Sequence, residues 1–315
     1  MEPAEIFGGV VEFFQVFVLF FYHLIVSIVR ALLPVGVWPR KSVAGQKVLI
    51  TGAGSGIGRL MSIEFGKLGA KLVLIDVNES SCDETRSIVE KAGGEARTYR
   101  CNLAKKDEIN DVFDKIDRDI GEIDIVVNNA GIVTGGEMVN CPDEKIQLTF
   151  NVNVLAHFWI LKRLLPSMYR RKAGHVVTIA SGASFFGVVD LVDYCSSKFA
   201  VYGMTESLQL EAHAHGHHGI KYTAICPYYI NTGMFDGVTT RFPTLLPILE
   251  PDYAVERIME AILTEQSMLM MPKICYILLF FKSFLPVNCL LLLADTTGVS
   301  RSMDHFVGRS KHKNA

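Results

Sequence analysis

The chain lacks an excess of charge of either sign. Its 31 Lys and Arg against 33 Asp and Glu leave a net charge of −2, which excludes nucleic acid as a main partner. It also lacks a cysteine framework. Seven cysteines are scattered without a CxxC pair, so they read as reduced thiols in a cytosol-facing protein, with Cys195 buried rather than redox-active. No metal is expected: His213, His215, His217 and His218 are dense but have no cysteine or carboxylate at ligand spacing, and read as a solvated helix end. No internal repeat or low-complexity tract interrupts the central region. No small-residue cleavage site follows the first apolar run, which excludes a removed signal peptide.

What is present is apolar mass. Half of the 315 residues are hydrophobic, enough for one core of about 250 residues plus appendages. The run Val10 to Val29 matches the roughly 20 residues that cross a bilayer as a helix. Glu12, Gln15, His23, Ser27 and Arg30 recur along one stripe of it, a pattern that also fits a helix lying in the interface. Glu2 and Glu5 precede the run while Arg30, Arg40 and Lys41 follow, so a spanning helix leaves the remainder on the cytoplasmic side. The expected division is a membrane anchor over 1–33, a linker over 34–45, an enzymatic domain over 46–272, and an apolar membrane- or substrate-facing segment with a short basic tail over 273–315.

From Lys47 the pattern becomes strand, turn, helix, repeated. KVLIT, KLVLIDV, ARTYRC, IDIVVN and HVVTIA read as strands separated by helix-length segments, among them 56–68 and 79–92, and Met268–Pro272 as an edge strand. Continuous apolar runs mark strands buried on both faces. Repeated βα units predict an α/β fold, a doubly wound parallel sheet of Rossmann type. Its first turn reads Thr51-Gly52-Ala53-Gly54-Ser55-Gly56-Ile57-Gly58. Glycines at such a turn permit close backbone approach to a pyrophosphate at a helix N-terminus. Asp76 ends the next strand 18 residues after Gly58, where a carboxylate bonds ribose hydroxyls and repels a 2′-phosphate, and neither position 77 nor 78 is Arg or Lys. NAD is therefore expected rather than NADP.

The stretch Ser181 to Lys198 carries the chemistry. Tyr194 and Lys198 stand at i and i+4, on one face of a helix. A phenol with an ordinary pKa of about 10 is a poor base at neutral pH, and a nearby ammonium lowers that value. Ser181, closing the run 175–180, stands where it holds a substrate oxygen beside the phenol. Such a set takes a proton from an alcohol while a hydride leaves its carbon.

With TGxxxGxG, Asn128-Asn129-Ala130-Gly131 and the Ser/Tyr/Lys set together, residues 45–272 resemble the short-chain dehydrogenases/reductases. NNAGIVTG, the Asn-Val-Asn-Val stretch, TGMF and LLPILEP resemble a membrane-anchored subgroup, the epidermal retinol dehydrogenases, which is also similar to lipid-droplet 17β-hydroxysteroid dehydrogenases. The resemblance implies roles. Thr51, Gly52, Ser55, Gly56, Ile57 and Gly58 form the phosphate turn and Asp76 selects the ribose. Asn128 and Ala130 pack along the adenosine. Asn153, rather than Asn151, holds a relay water through a helix distortion. Ser181, Tyr194 and Lys198 are catalytic, with Tyr194 and Lys198 also on the cofactor. Pro227, Ile230 and Thr232 cup the nicotinamide carboxamide.

Two positions depart from that family pattern: Asn102 replaces the aspartate that meets the adenine, and Tyr228 replaces a glycine. In the same family the segment Arg241–Pro251 covers the substrate, so Leu245, Leu246 and Ile248 are expected as an apolar lid against an apolar substrate. The run 274–294, broken by Lys282, Pro286 and Asn288, reads as a membrane-facing flap or a packed C-terminal helix. The implied activity is NAD-dependent oxidation of a lipophilic alcohol, all-trans-retinol to retinal; the alternatives are a hydroxysteroid dehydrogenase and a non-catalytic lipid-droplet scaffold. The implied setting is the endoplasmic reticulum membrane or a lipid droplet, facing the cytosol, with a possible homodimer.

Overall fold

The computed structural model describes residues 3–32 and 36–308. The start of the expected linker at Pro34, the tail beyond residue 308 and the side chain of Arg30 lie outside the described residues. The chain divides into two compact units, 1–40 and 41–315.

The first unit contains α1, Pro3–Leu32. Its stretch Val11–Val29 has a mean hydropathy of 2.0 over 19 residues, none of them buried. At 1.5 Å per residue that stretch is about 28 Å long, close to the thickness of a bilayer core. It is the one helix long and apolar enough to cross a membrane among the described residues.

The second unit is built on a parallel sheet with strand order β3-β2-β1-β4-β5-β6-β7. The strands are β1 Lys47–Thr51, β2 Lys71–Asp76, β3 Glu95–Arg100, β4 Ile125–Asn128, β5 Gly174–Ile179, β6 Ile220–Pro227 and β7 Met268–Met271. Between them run α2 Gly56–Lys67, α3 Glu79–Lys91, α4 Lys106–Asp119, α5 Asp143–Phe150, α6 Ala156–Arg171, α7 Val192–Ala214 and α8 Pro251–Leu263. Two short helices, α9 Ile274–Lys282 and α10 Val287–Thr297, follow the sheet. This is the doubly wound, Rossmann-type architecture that the repeated βα pattern predicts.

Strand alternation distributes the apolar runs over two cores. Val48, Ile50, Leu72, Leu74 and Val127 face one side, against Met61 and Phe65 of α2 and Ile258 and Ile262 of α8. Leu49, Val73, Val126 and Val176 face the other, against Ile109, Phe113 and Ile116 of α4, Ile160 and Leu164 of α6, and Val201 of α7. Burial on both faces is why these strands read as continuous apolar runs rather than alternating ones. β3 differs, because it is an edge strand whose EARTYR side chains are half-buried or exposed. The opposite edge, β7, is covered by α9: the Tyr276 hydroxyl accepts from Met270 N at 3.0 Å and donates to Met268 O at 3.1 Å. Those bonds satisfy the backbone that an open edge exposes.

The strand order reverses between β1 and β4. The crevice beyond the carboxyl ends of these two strands is where such sheets hold ligands, and the candidate site residues gather there.

Candidate active site

The first turn leaves β1 with Gly52 at φ +65 and re-enters a helix at Gly56 with φ +55, both in the left-handed region that favours glycine. A Cβ on Gly52 would stand 2.9 Å from Ala130 Cα, one on Gly54 2.9 Å from Asp76 Oδ2, and one on Gly58 2.1 Å from Gly52 O. Side chains are therefore excluded, and the bare backbone of the turn and the N-terminus of α2 face a cavity of about 790 Å³. A concave backbone at a helix N-terminus fits a pyrophosphate. Asp76, at the end of β2, accepts from Gly54 N at 2.8 Å and Asn78 N at 2.9 Å and opens on the same cavity.

Arg59 braces the turn from behind. Its guanidinium donates to Gly54 O at 2.7 Å and to Glu84 at 2.7 Å. Thr51 is buried beneath the cavity and ties the turn to the end of β4: its Oγ1 accepts from Asn129 N and Ala130 N, each at 3.0 Å. The Asn129 amide donates to Thr51 O at 2.8 Å.

Asn129, Ala130 and Gly131 line the cavity, whereas Asn128 does not. Asn128 ends β4 facing the helices, fully buried. Sequence reasoning thus named Asn128 where the following residue carries the wall. Because both faces of β4 are apolar, its alternation gives no sign of which asparagine points outward. Asn102 lines the adenine end, with Oδ1 accepting from Ala104 N at 3.0 Å. That oxygen keeps a second lone pair for a further donor.

Ser181 follows β5 and caps a 3₁₀ turn over Gly182–Ser184: its Oγ accepts from Ala183 N at 3.1 Å. Ser184 Oγ in turn donates to Lys198 O at 2.8 Å, which locks this turn to α7. Tyr194 and Lys198 lie on one face of α7 and are 5 % and 4 % exposed. The Tyr194 ring meets Phe235 edge-on at 5.6 Å. Lys198 Nζ donates to Ile179 O at 2.9 Å and stands 5.6 Å from the Tyr194 ring centroid.

Electrostatics here differ from the sequence expectation. Burial pushes the Tyr194 phenol above its ordinary value, and the Ser181 hydroxyl within hydrogen-bonding reach pulls the other way. Burial pulls Lys198 down to about 8. Desolvation leads for both groups, and the Lys198 ammonium is directed at the Ile179 carbonyl rather than at the phenol oxygen.

The helix between α5 and α6 is distorted into a π-helical turn over Asn151–Leu155. There Asn153 is fully buried. Its Oδ1 accepts from Ile132 N at 2.8 Å, while Nδ2 donates to Ile132 O at 2.9 Å and Ser197 Oγ at 3.0 Å. A Cβ on Gly131 would meet Asn153 Oδ1 at 3.5 Å and Lys198 Nζ at 3.6 Å, so the two side chains converge on one point. Asn151 instead accepts from Gln147 Nε2. One turn beyond Asn153, His157 is fully buried. Burial, then the Lys198 charge, bring it down to about 3, so it is a neutral neighbour of Asn153 and Lys198.

Pro227, Ile230 and Thr232 line the cavity where a carboxamide would sit. Tyr228 keeps an ordinary backbone without positive φ and adds an aromatic wall beside Tyr229, at 4.6 Å between ring centroids.

The expected lid contributes one side chain. Leu246 is 7 % exposed and lines the cavity; Leu245 is 45 % exposed and does not, and Ile248 packs on the cluster around Val238 and Met303. The apolar wall comes instead from the C-terminal helices, with Leu278, Phe281, Leu285, Leu290 and Leu291. The sequence marks 273–315 as membrane- or substrate-facing but names none of these side chains, because the stretch has no motif, only apolar character. The histidine cluster is accounted for in part by packing: His217 stacks on Tyr169 at 4.0 Å.

The cavity therefore joins the glycine-rich turn and the Asp76 carboxylate to an apolar chamber, and Ser181, Tyr194 and Lys198 line it as well. Comparison with known proteins agrees with this reading. A family model for short chain dehydrogenase matches residues 46–241. Epidermal retinol dehydrogenase 2 of Homo sapiens is 47 % identical over 291 residues, covering 92 % of this chain and 93 % of that protein. Retinol dehydrogenase 10 of Rattus norvegicus is 39 % identical, covering 96 % of each. Among solved structures, a short chain dehydrogenase/reductase from Burkholderia phymatum in complex with NAD aligns with a TM-score of 0.69 at 24 % identity, over 77 % of this chain and 94 % of that one.

Proposed function

This chain belongs to the short chain dehydrogenase family, and from that premise we propose that it oxidises a lipophilic alcohol, all-trans-retinol, to the aldehyde with NAD as the hydride acceptor. Its action as an oxidoreductase on CH–OH donors follows from the family and from its retinol dehydrogenase relatives. The observation that carries the finer reading is the chamber beyond Ser181 and Tyr194, whose wall is mainly apolar, with Phe281, Leu285, Leu290 and Leu291 and the charged Lys282 among them. Burying polar groups against such a wall is costly, and apolar carbon is favoured there.

Each residue has a definable task. Ser181 Oγ holds the substrate hydroxyl beside the phenol. Tyr194 takes the hydroxyl proton as the carbon–hydrogen bond breaks. Lys198, as its Nζ turns from the Ile179 carbonyl toward the phenol, stabilises the phenolate form. Asn153 fixes Ile132 and Gly131 around the ammonium and marks the path by which the proton leaves. Bound nicotinamide supplies the hydride acceptor. Holding the reactants in one geometry contributes several kcal/mol of barrier reduction, and proton transfer adds roughly 10²- to 10⁴-fold.

NAD is favoured over NADP because the Asp76 carboxylate opens on the ribose end of the cavity while Arg59 is bonded to Gly54 O and Glu84. A 2′-phosphate would meet that carboxylate without a compensating cation. The apolar stretch of α1 supports membrane association, with the endoplasmic reticulum membrane or a lipid-droplet surface as the proposed site and the second unit in the cytosol. The deciding experiment presents membrane fractions with retinol, steroids and fatty alcohols, each with NAD and NADP. Saturable retinal formation with NAD supports the proposal, and turnover of steroids alone refutes the retinoid reading.

A further inference from the structure

We propose that Lys282 is a positioning residue: it clamps the outer wall of the substrate chamber to the segment that follows the catalytic serine. The proposal rests on the reading of the chamber as the site of an apolar alcohol.

The wall element is α9. It begins firmly, with Cys275 buried and the Tyr276 hydroxyl bonded to both Met268 O and Met270 N. Along its length Leu278 and Phe281 line the cavity, and Ile277, Phe280 and Phe281 are all more than half exposed. α10, which follows, buries no residue. The far end of α9 therefore gains little from apolar packing, yet Phe281 must be held there if the chamber is to keep its shape.

Lys282 supplies that hold. Its Nζ donates to Phe185 O, and it lies 5.4 Å from the centroid of the Phe186 ring and 5.5 Å from that of Phe199. Phe185 and Phe186 directly follow the 3₁₀ turn that Ser181 caps, and Phe199 follows Lys198 on α7. One ammonium thus links α9 to both segments that present the catalytic groups. Of the described residues lining the cavity, Asp76, Lys198 and Lys282 are the ones that carry charge. A lysine in an apolar wall is otherwise costly. Its retention here is explained by a charge-assisted hydrogen bond and two cation–π contacts, which a methionine of similar length cannot make.

The test uses the full chain in detergent-solubilised membranes. Lys282→Met should raise KM for retinol about tenfold with kcat changed less than about twofold, the signature of lost binding rather than lost chemistry. NADH affinity, read by fluorescence, should not move. Amide exchange across 274–282 should accelerate by about tenfold, since the helix end loses its tie. Lys282→Arg should restore KM and exchange, because a guanidinium also donates to a carbonyl and stacks on aromatic rings. If Lys282→Met does not accumulate as folded protein, Phe199→Leu removes one ring of the cage from outside the cavity and should move KM and exchange in the same direction. Exchange that stays at the wild-type rate, or faster exchange with KM unchanged, overturns the clamp. A wild-type enzyme inactive on retinol refutes the substrate reading instead, and the exchange rates still decide the clamp.

Discussion

Lys198 Nζ stands 5.6 Å from the centroid of the Tyr194 ring while donating to Ile179 O at 2.9 Å. The two groups are adjacent and both are buried, and burial moves them in opposite directions: the phenol upward and the ammonium down to about 8. The first proton to leave these two groups comes off near 8, where burial puts Lys198.

A pH profile follows from that pairing. Oxidation releases a proton into the pair, so the pair must be partly deprotonated to accept it. The expected kcat/KM for alcohol oxidation is low at pH 6 and rises through about 8, while the reverse reduction falls over the same range. Lys198→Arg, whose charge does not titrate in this range, should move the rise upward. Steady-state rates between pH 6 and 10 check both, and a flat profile in the wild type contradicts the account.

Cofactor choice isolates the Asp76 charge. Asp76→Asn keeps a carbonyl acceptor for Gly54 N and removes the charge that repels a 2′-phosphate. It should raise KM for NAD by about tenfold through the weakened ribose bond and improve NADP use. A wild-type enzyme that already prefers NADP shows that Asp76 does not select the ribose.

Two neighbouring leucines should behave differently. Leu246→Asp puts a charge into the cavity wall and should raise KM for retinol steeply, since burying one large aliphatic contributes roughly 1.5–3 kcal/mol. Leu245→Asp, at a position 45 % exposed, should change it by less than about twofold. Equal effects of the two substitutions contradict the placement of this segment.

Alkaline carbonate extraction tests α1. The full chain should stay in the membrane pellet, and deletion of residues 1–33 should move much of it to the supernatant. Full release of the intact chain rules out an integral anchor.

Much of this site was legible in the sequence where a motif constrains the backbone. The glycines at 52, 54 and 58 are each required by a close approach, and Tyr194 and Lys198 share a face because of helical spacing alone. Legibility failed where no period applies. The Pro-rich 241–251 segment has neither helical nor strand alternation, so nothing distinguished buried Leu246 from exposed Leu245. Asn128 was named and Asn129 was not, because β4 is apolar on both faces and its alternation does not say which asparagine lines the cavity. For the wall from α9 and α10 the sequence left membrane-facing and substrate-facing open, since apolar residues facing a cavity and apolar residues facing lipid are chemically alike.

The central claim is that Tyr194 transfers the proton in oxidation of an apolar alcohol by this chain. The most direct measurement is retinal formation from all-trans-retinol and NAD by the full chain and by Tyr194→Phe, with NADH binding followed by fluorescence in both. The account predicts saturable activity in the wild type, a loss of at least about 100-fold in the variant, and NADH affinity that is the same in each. Activity in Tyr194→Phe within about tenfold of the wild type, with NADH still bound, contradicts it.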